Sequence, residues 1–321
     1  KEFSIYNKSK YVILTSSGTS ALEIILRSLD IEKGDEIIVP CQTFIGTVSP
    51  VINIGAKPIF AEIDENFLLD EEELNKLITK KTKAVILVHY CGLIHKNIFN
   101  IKKFLKKKNI YLIEDASHAH GASINNIKAG NLSDVALFSL YSSKIITSGE
   151  GGIISTNDKL IYKKCSSIRS RGLDIDKKDE IYANLGSNYR VSEIHSLLAL
   201  TQLRNINFFV NHRIKVSKIY TSVLQEAVIK KKIRIINCSS NIINPYWKYT
   251  FFLLNKQNRN RIKFAMNQNS IGLDWAYDPL VHLQPVVKKV SKVKRLPFSE
   301  KLSNTHINLP THYGINLKQA K

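Results

Sequence analysis

The sequence has few of the features that mark secreted, membrane-spanning or zinc-ribbon proteins. Its 4 cysteines lie far apart with no C-x-x-C pair, which argues against a zinc ribbon or a disulfide scaffold. The longest stretch without a charge, Ile37–Ala56, contains two prolines and several polar residues and is too polar for a bilayer span. The first residues are too polar for a signal peptide. We therefore expect a soluble, cytoplasmic protein with no membrane contact.

Acidic residues are also scarce. There are 27 Asp and Glu against 47 Lys and Arg, which gives a net charge of +20. Such an excess is one sign of nucleic-acid binding, but no zinc finger, aromatic RNP strand or helix-turn-helix pattern accompanies it, and the lysines form only short, separate runs. We expect no nucleic-acid partner; a negatively charged small substrate or a merely basic surface is the preferred interpretation.

The 321 residues, 44% of them hydrophobic, have an ordinary globular composition, which excludes wholesale disorder. Between residues 10 and 160, short β-branched runs alternate with amphipathic stretches, the pattern of βαβ units. This predicts an α/β fold with a mostly parallel central sheet and helices on both faces. The predicted strands are Tyr11–Thr15, Glu36–Pro40, Lys57–Glu62, Ala84–His89, Ile110–Asp115, Val135–Ser139 and Gly152–Ser155. The predicted helices are Ser20–Leu29, Gln42–Ile54, Asp70–Ile78 and Ile98–Lys108.

Glycine usage divides the chain. Of the 14 glycines, 12 fall within residues 1–186, and glycine is concentrated where backbone turns tightly or approaches a ligand. We therefore predict a large α/β domain over residues 1–205 that carries the chemistry, and a smaller α+β domain over 206–321. The pattern after the glycine-rich part predicts a long helical stretch over Ser192–Leu224, with or without a break, then a strand at Tyr249–Leu254 and a helix at Arg259–Gln268.

Three segments carry candidate chemistry. Ser16–Leu22 follows a strand and opens a helix, where backbone N–H groups favour an anion; a plain helix N-cap is the alternative. Ile110–Gly121 ends a buried strand in acids, and Asp115 there needs a cation such as a protonated heterocyclic nitrogen; the alternative is a metal held with His118 and His120.

The third segment, Phe138–Gly152, places Lys144 between an apolar strand and a glycine-dense turn. Enclosure there would lower the pKa of its amine and make it a nucleophile and base, whereas a solvated surface lysine is the alternative. A phosphate site, a strand-end acid and a lysine together are the three anchors of pyridoxal 5′-phosphate (PLP).

The segments also match a known family. The sequence resembles the DegT/DnrJ/StrS family of fold-type I, PLP-dependent sugar aminotransferases over essentially its whole length, except that family members usually begin a few dozen residues earlier. The stretches that carry the resemblance are TSSGTSALEIILRSLDIEKGDEIIVPCQTFIGTVSPV, AVILVHYCG, IEDASHAHGA, FSLYSSKIITSGEGG, RSRG and LGSNYRVSEIHSLLALTQL, with weaker matches in YDPLVHLQP and SEKLSNTHINLP.

The resemblance implies three catalytic residues. Lys144 occupies the position that forms the Schiff base with PLP. Asp115 matches the acid that pairs with the pyridinium nitrogen. His118 stands where the family has Gln or His near the 3-hydroxyl of the cofactor.

It also implies the rest of the cofactor site. Gly18, Thr19 and Ser139 match phosphate contacts, and Phe44 falls at the aromatic position that stacks on the pyridine ring. Asn188 resembles an asparagine that reaches the phosphate from the other subunit of a homodimer.

The implied reaction moves an amino group from an amino acid, with glutamate the expected donor, to a nucleotide-linked keto sugar for surface polysaccharide or glycoconjugate biosynthesis. The alternatives are a PLP-dependent sugar dehydratase or other PLP lyase, a non-catalytic PLP-binding regulator, and an inactive homologue. Relatives with His at the position of Lys144 are dehydratases, so the lysine favours transamination. Trp275, Tyr277 and His282 are candidates for the sugar pocket, with core packing as their alternative.

Overall fold

The computed structural model describes residues 1–254, 259–291 and 293–320. Its strands are β1 (Tyr11–Thr15), β2 (Glu36–Pro40), β3 (Lys57–Ala61), β4 (Thr82–Val88), β5 (Tyr111–Asp115), β6 (Ser123–Ile124), β7 (Ile127–Lys128), β8 (Val135–Ser139), β9 (Gly152–Thr156), β10 (Ile233–Ile235), β11 (Ile242–Ile243), β12 (Tyr249–Leu253) and β13 (His306–Leu309). Its α-helices are α1 (Glu2–Asn7), α2 (Gly18–Ser28), α3 (Ser49–Asn53), α4 (Glu71–Leu77), α5 (Ile98–Lys107), α6 (Lys159–Arg169), α7 (Glu193–Arg204), α8 (Ile206–Ile229), α9 (Arg259–Gln268), α10 (Pro285–Val290) and α11 (Pro297–Ser303). Short 3-10 helices cover Ile45–Thr47, Tyr90–Gly92 and Val281–Leu283.

The centre of the fold is a seven-stranded sheet in the order β1-β9-β8-β5-β4-β2-β3. Strand β9 runs antiparallel to both of its neighbours, and the other pairs are parallel. Parallel neighbours joined through helices place those helices on the sheet faces, so the strands are buried on both sides. The predicted α/β fold with a mostly parallel sheet is therefore confirmed.

Alternation along each strand sends neighbouring side chains to two separate cores. In β2, Ile38 belongs to the core that contains residues of α4, α5 and α8, whereas Ile37 and Val39 belong to the core that contains residues of α2, α3 and α6. Successive side chains of a strand point to opposite faces of the sheet, so a strand buried on both faces needs an apolar residue at every position. This explains the continuous hydrophobic runs in the sequence.

Most predicted elements form within two residues of their predicted ends, and the break allowed in the long helical stretch falls at Asn205, between α7 and α8. One prediction was wrong. Residues 42–54 do not form one helix: a 3-10 turn over Ile45–Thr47 is followed by the short α3. Gly46 and Pro50 interrupt the helical pattern of this segment. Thr43, Phe44, Gly46 and Thr47 instead form part of a cavity wall.

The C-terminal part contains a small antiparallel sheet in the order β10-β12-β13, with its own apolar cluster. It is also tied to the N-terminal part: β11 pairs with β6, and Trp247, Phe252 and Leu280 belong to one of the central cores. The boundary at residues 205 and 206 stays a prediction. None of the helices in the described ranges is long and apolar enough to cross a membrane.

Candidate active site

A pocket opens where three neighbouring parallel strands end. Strands β4, β5 and β8 finish at Val88, Asp115 and Ser139, and parallel strands bring their carboxyl ends to the same edge. The pocket at this edge has a volume of about 470 Å³, enough for a small organic ligand.

Seven of the eight site residues predicted from the sequence line this pocket. These are Gly18, Thr19, Phe44, Asp115, His118, Ser139 and Lys144. The eighth, Asn188, is exposed and does not line the pocket of its own chain; it pairs with Ser170 in an isolated bridge.

Asp115 is almost fully buried, and both of its carboxylate oxygens are held. The Thr47 hydroxyl donates to Oδ2 at 2.8 Å and the Ser117 N–H donates to Oδ1 at 3.1 Å. Thr47 is held in turn by the Thr43 hydroxyl at 2.7 Å. A buried carboxylate with only two neutral donors keeps lone pairs for a further partner, and it faces the pocket that Lys144 also lines.

Lys144 lies in the turn between β8 and β9, half-buried, with its N–H bonded to the Tyr141 carbonyl at 2.9 Å. Burial lowers the pKa of its amine to about 8, with Lys248 adding to the shift, while the nearby Asp115 carboxylate opposes it. The expected enclosure of this lysine is thus present: a substantial fraction of the side chain is a neutral amine near physiological pH.

His118 lies between two aromatic residues of the C-terminal part. Its Nε2 shares a 2.7 Å hydrogen bond with the Tyr277 hydroxyl, and its ring stacks on Trp247 with centroids 3.8 Å apart and planes 11° apart. Burial and the charge of Lys144 push the pKa of this imidazole well below its usual value, so the ring is neutral. Its Nδ1 is buried and has no hydrogen-bond partner among the described residues, which leaves one polar atom for a ligand.

The start of α2 is where the sequence predicts an anion site. Ser17 caps α2 in a capping box with Ser20, and the pocket is lined by the first residues of this helix. Gly18 packs so closely on β8 that an added Cβ would lie 3.0 Å from the Ser139 Cβ. The positive end of the helix macrodipole therefore lies next to β8, and Thr19 and Ser139, which both carry hydroxyl groups, line the pocket.

The sequence also offered a metal site and three candidates for the sugar pocket. Asp115, His118 and His120 do not form a metal site, and within the described ranges no group of three or more His, Cys, Asp or Glu side chains is arranged to hold a metal ion. Of the three candidates for the sugar pocket, Tyr277 lines the cavity, whereas Trp275 and His282 do not. His282 is buried against Glu300, as the packing alternative expects.

Several pocket residues have no signal in the sequence that singles them out. Thr47 contacts Asp115 from 68 positions away, and Trp247 reaches the pocket from the C-terminal part. Thr43 and Glu150 also line it. Thr43, Thr47 and Glu150 stand in stretches that carry the family resemblance, whereas Trp247 stands in none of them.

The chain matches known proteins over its full length. The profile of the DegT/DnrJ/EryC1/StrS aminotransferase family matches residues 1–321. The chain is 30% identical to a GDP-perosamine synthase of Vibrio cholerae, over 100% of this chain and 86% of that protein.

Solved structures agree with the sequence match. An aminotransferase from Psychrobacter cryohalolentis superposes with a TM-score of 0.94 at 26% identity, over 99% of this chain and 86% of that chain. NtdA from Bacillus subtilis, solved with bound pyridoxamine phosphate, superposes with a TM-score of 0.90 at 25% identity, over 99% of this chain and 72% of that chain.

Proposed function

Because this chain belongs to the DegT/DnrJ/EryC1/StrS aminotransferase family, and is therefore a PLP-dependent sugar aminotransferase, we propose that it moves an amino group from an amino acid to a nucleotide-linked keto sugar. The observation that carries the proposal is that Lys144 and Asp115 line the same pocket. The name of the Vibrio cholerae relative, which contains a sugar linked to GDP, supports the substrate class.

The residues of the pocket fit PLP. The helix start with Gly18 and Thr19 would hold its phosphate, Asp115 its ring nitrogen, and Lys144 its aldehyde carbon. The unpartnered, buried Nδ1 of His118 suits the ring hydroxyl, because a buried polar atom without a partner is costly. Bound PLP supplies an aldehyde that carries the amino group and a ring that accepts an electron pair from the substrate carbon.

Lys144 supplies the proton transfer. With a pKa of about 8, its Nζ is able both to take a proton from the α-carbon of the donor and to return one, which an amine with the ordinary lysine value does poorly near pH 7. Asp115 keeps a proton on the ring nitrogen of the cofactor, since Thr47 and Ser117 fix its carboxylate towards the pocket.

Aromatic side chains enclose these groups. Phe44 and Tyr277 have ring centroids 5.9 Å apart, and Trp247 is buried beside them. This enclosure limits water around the Lys144 amine, which strengthens the electrostatic contacts in the pocket. Phe44 remains 56% exposed, so its ring is free to cover a flat heterocycle.

The proposal also covers the amino donor, the use of the product and the cellular location. Glutamate is the proposed donor, and the aminated sugar is proposed to enter surface polysaccharide or glycoconjugate synthesis. A cytoplasmic location is proposed because the four cysteines are all free thiols, three of them buried, which suits a reducing compartment.

We also propose that two copies of the chain form a homodimer in which Asn188 reaches the phosphate site of the partner. Helix α7 supports this proposal, because none of its 12 residues is buried although it carries Ile194, Leu197 and Leu198. The side chains of Ile194 and Leu197 are 74% and 65% exposed. Apolar surface of this extent is typical of a protein interface, and Asn188 lies only five positions before the first residue of the helix.

The covalent role of Lys144 is tested by reduction. Purified protein is mixed with PLP, treated with borohydride and digested, and the peptides are weighed by mass spectrometry. The peptide that contains Lys144 should gain the mass of the reduced cofactor, and Lys144→Ala should gain none. Attachment at another lysine would refute the assignment.

The reaction type is tested separately with glutamate and a nucleotide-linked keto sugar. Formation of 2-oxoglutarate together with an amino sugar supports transamination. Loss of a hydroxyl group from the sugar with no 2-oxoglutarate would instead indicate a PLP-dependent dehydratase or lyase, and cofactor binding without turnover of any sugar would indicate a regulator.

A further inference from the structure

The indole of Trp247 contacts three parts of the active site. Its Nε1–H donates to the Ser143 carbonyl at 2.6 Å, and its ring stacks on His118 with centroids 3.8 Å apart. The Lys144 Nζ lies 4.7 Å from its ring centroid. One side chain from the C-terminal part therefore contacts two predicted catalytic residues and the peptide group between Ser143 and Lys144.

The main chain of Trp247 is held firmly. Its N–H donates to the Cys91 carbonyl at 3.1 Å, and its carbonyl accepts from Arg213 Nη1 at 3.1 Å and from the Thr311 hydroxyl at 3.2 Å. Arg213 is 6% exposed and forms no ion pair with a carboxylate within the described ranges.

A buried guanidinium that lacks a counter-charge is unfavourable unless its hydrogen bonds are satisfied. Arg213 directs Nη1 to the carbonyls of Tyr246 and Trp247 and to Thr311, and its burial lowers the pKa to about 10. The fold thus maintains a costly buried cation at the point that fixes Trp247.

We propose that Trp247 is a positioning residue: it ties the turn that carries Lys144 to the C-terminal part and fixes the plane of His118. This proposal rests on the proposed function, because it takes Lys144 as the reactive amine. The Ser143 carbonyl belongs to the planar peptide unit that leads into Lys144, so holding that oxygen restricts where the lysine begins. The stack on His118 restricts the direction of its unpartnered Nδ1.

The test compares Trp247→Phe with a matched control, Tyr220→Phe. The first variant keeps an aromatic face but loses the hydrogen bond to the Ser143 carbonyl. The second also loses one hydrogen bond from a side chain to a main-chain carbonyl, that of Pro310 at 3.0 Å, but Tyr220 does not line the pocket. Amide hydrogen exchange over residues 140–149 is measured in the cofactor-free proteins, and kcat and KM are measured in the PLP-loaded enzymes.

We expect amide exchange over residues 140–149 to be about tenfold faster in W247F, because opening of this turn no longer has to break the hydrogen bond between the Trp247 indole and the Ser143 carbonyl. We expect kcat to fall about 10- to 100-fold with KM for both substrates changed less than about threefold, since misplacement of a reactive group lowers the rate of the chemical step more than binding. The Y220F control should match the parent in exchange over this segment and in kcat.

Exchange and kcat within twofold of the parent in W247F, or equal losses in Y220F, would overturn the proposal. If W247F does not fold, Trp247→His replaces it, because imidazole retains a flat ring with an N–H donor. This variant should preserve slow amide exchange over residues 140–149. Fast exchange in a folded W247H protein counts against the role of the hydrogen bond to the Ser143 carbonyl. The borohydride experiment separates the two proposals. A parent enzyme that attaches no PLP at Lys144 refutes the proposed function, whereas the exchange result, obtained without cofactor, still decides the role of Trp247.

Discussion

At the scale of single residues, the site depends on a contrast between a lysine that loses charge easily and a carboxylate that is held in place. Lys144 is partly enclosed by aromatic side chains and another cation, whereas Asp115 receives hydrogen bonds from Thr47 and Ser117. Desolvation disfavours the charged form of the amine, while the two donors fix the direction of the carboxylate. The Lys144 amine is therefore suited to the proposed proton transfer, and the Asp115 carboxylate to the proposed contact with a protonated ring nitrogen.

The lowered pKa of Lys144 predicts a pH dependence for PLP attachment. Only the neutral amine attacks the aldehyde, so with a pKa of about 8 the rate should rise about tenfold between pH 7 and pH 9 and level off above that. An amine with the ordinary lysine pKa would instead show a rise of about 100-fold over the same range, with no plateau below pH 10. Stopped-flow absorbance of the protein mixed with PLP distinguishes the two profiles.

Replacement of Asp115 by Asn should separate binding from catalysis. Asn fills the same space and still accepts a hydrogen bond, so PLP should remain bound, but kcat should fall about 100-fold because a neutral amide does not keep the ring nitrogen protonated. Asp134→Asn is the matched control: its carboxylate accepts from the Leu112 N–H and lies outside the pocket. Undiminished turnover in D115N would remove the ring-nitrogen role.

At the scale of secondary-structure elements, the start of α2 is the feature with two functions. Ser17 and Ser20 satisfy the first N–H groups of the helix through the capping box, and the same turn lines the pocket. Gly152, the first residue of β9, lies so close to this turn that an added Cβ would collide with the Ser17 carbonyl. The position of the anion site is thus fixed by strand and helix together.

Loss of this cap should cost both stability and cofactor affinity. Ser17→Ala should lower the free energy of unfolding of the cofactor-free protein by about 1 kcal/mol. Asp158→Ala, which removes the N-cap of α6, should cost a similar amount, since Asp158 accepts from the Leu160 and Ile161 N–H groups. Only S17A should also weaken PLP binding in a titration; equal affinities in the two variants would argue against the phosphate site.

At the scale of the whole molecule, α7 is a helix that leaves large apolar side chains exposed to solvent. Its residues Ala199 and Leu203 pack against a central core only partly buried, whereas helical stability in proteins comes mostly from a buried apolar face. Leu185, just before Asn188, is 90% exposed as well. A second copy of the chain would bury this surface and bring Asn188 towards a pocket that it does not line in its own chain.

The proposed sharing of Asn188 between two subunits predicts complementation between two inactive variants. Lys144→Ala and Asn188→Ala should each be inactive alone. Mixed in equal amounts under conditions of subunit exchange, they should recover about a quarter of the parental activity, because half of the dimers are mixed and each mixed dimer contains one intact site. No recovery, despite exchange verified with differently tagged subunits, would place Asn188 outside the partner's site.

Much of the fold was predictable because its information is local. Apolar runs of strand length alternate with amphipathic helices, and the order of strands along the chain confines them to a small set of topologies. Asp115 and the segment around Gly18 could be singled out for the same reason, since one ends a predicted strand and the other opens a predicted helix. Lys144 could be singled out because it lies between a predicted strand and a glycine-dense turn.

Hydrophobic periodicity and turn residues act over a few neighbouring positions, so the sequence was enough to predict the α/β architecture and to single out Gly18, Asp115 and Lys144 as candidate anchors of a cofactor. It is the packing of the whole chain that places Thr43, Phe44, Gly46 and Thr47 in the pocket wall, directs Thr47 to Asp115 and stacks Trp247 on His118. These contacts join positions separated by 68 to 129 residues, and no local pattern encodes a distance that only the packing of the whole chain sets.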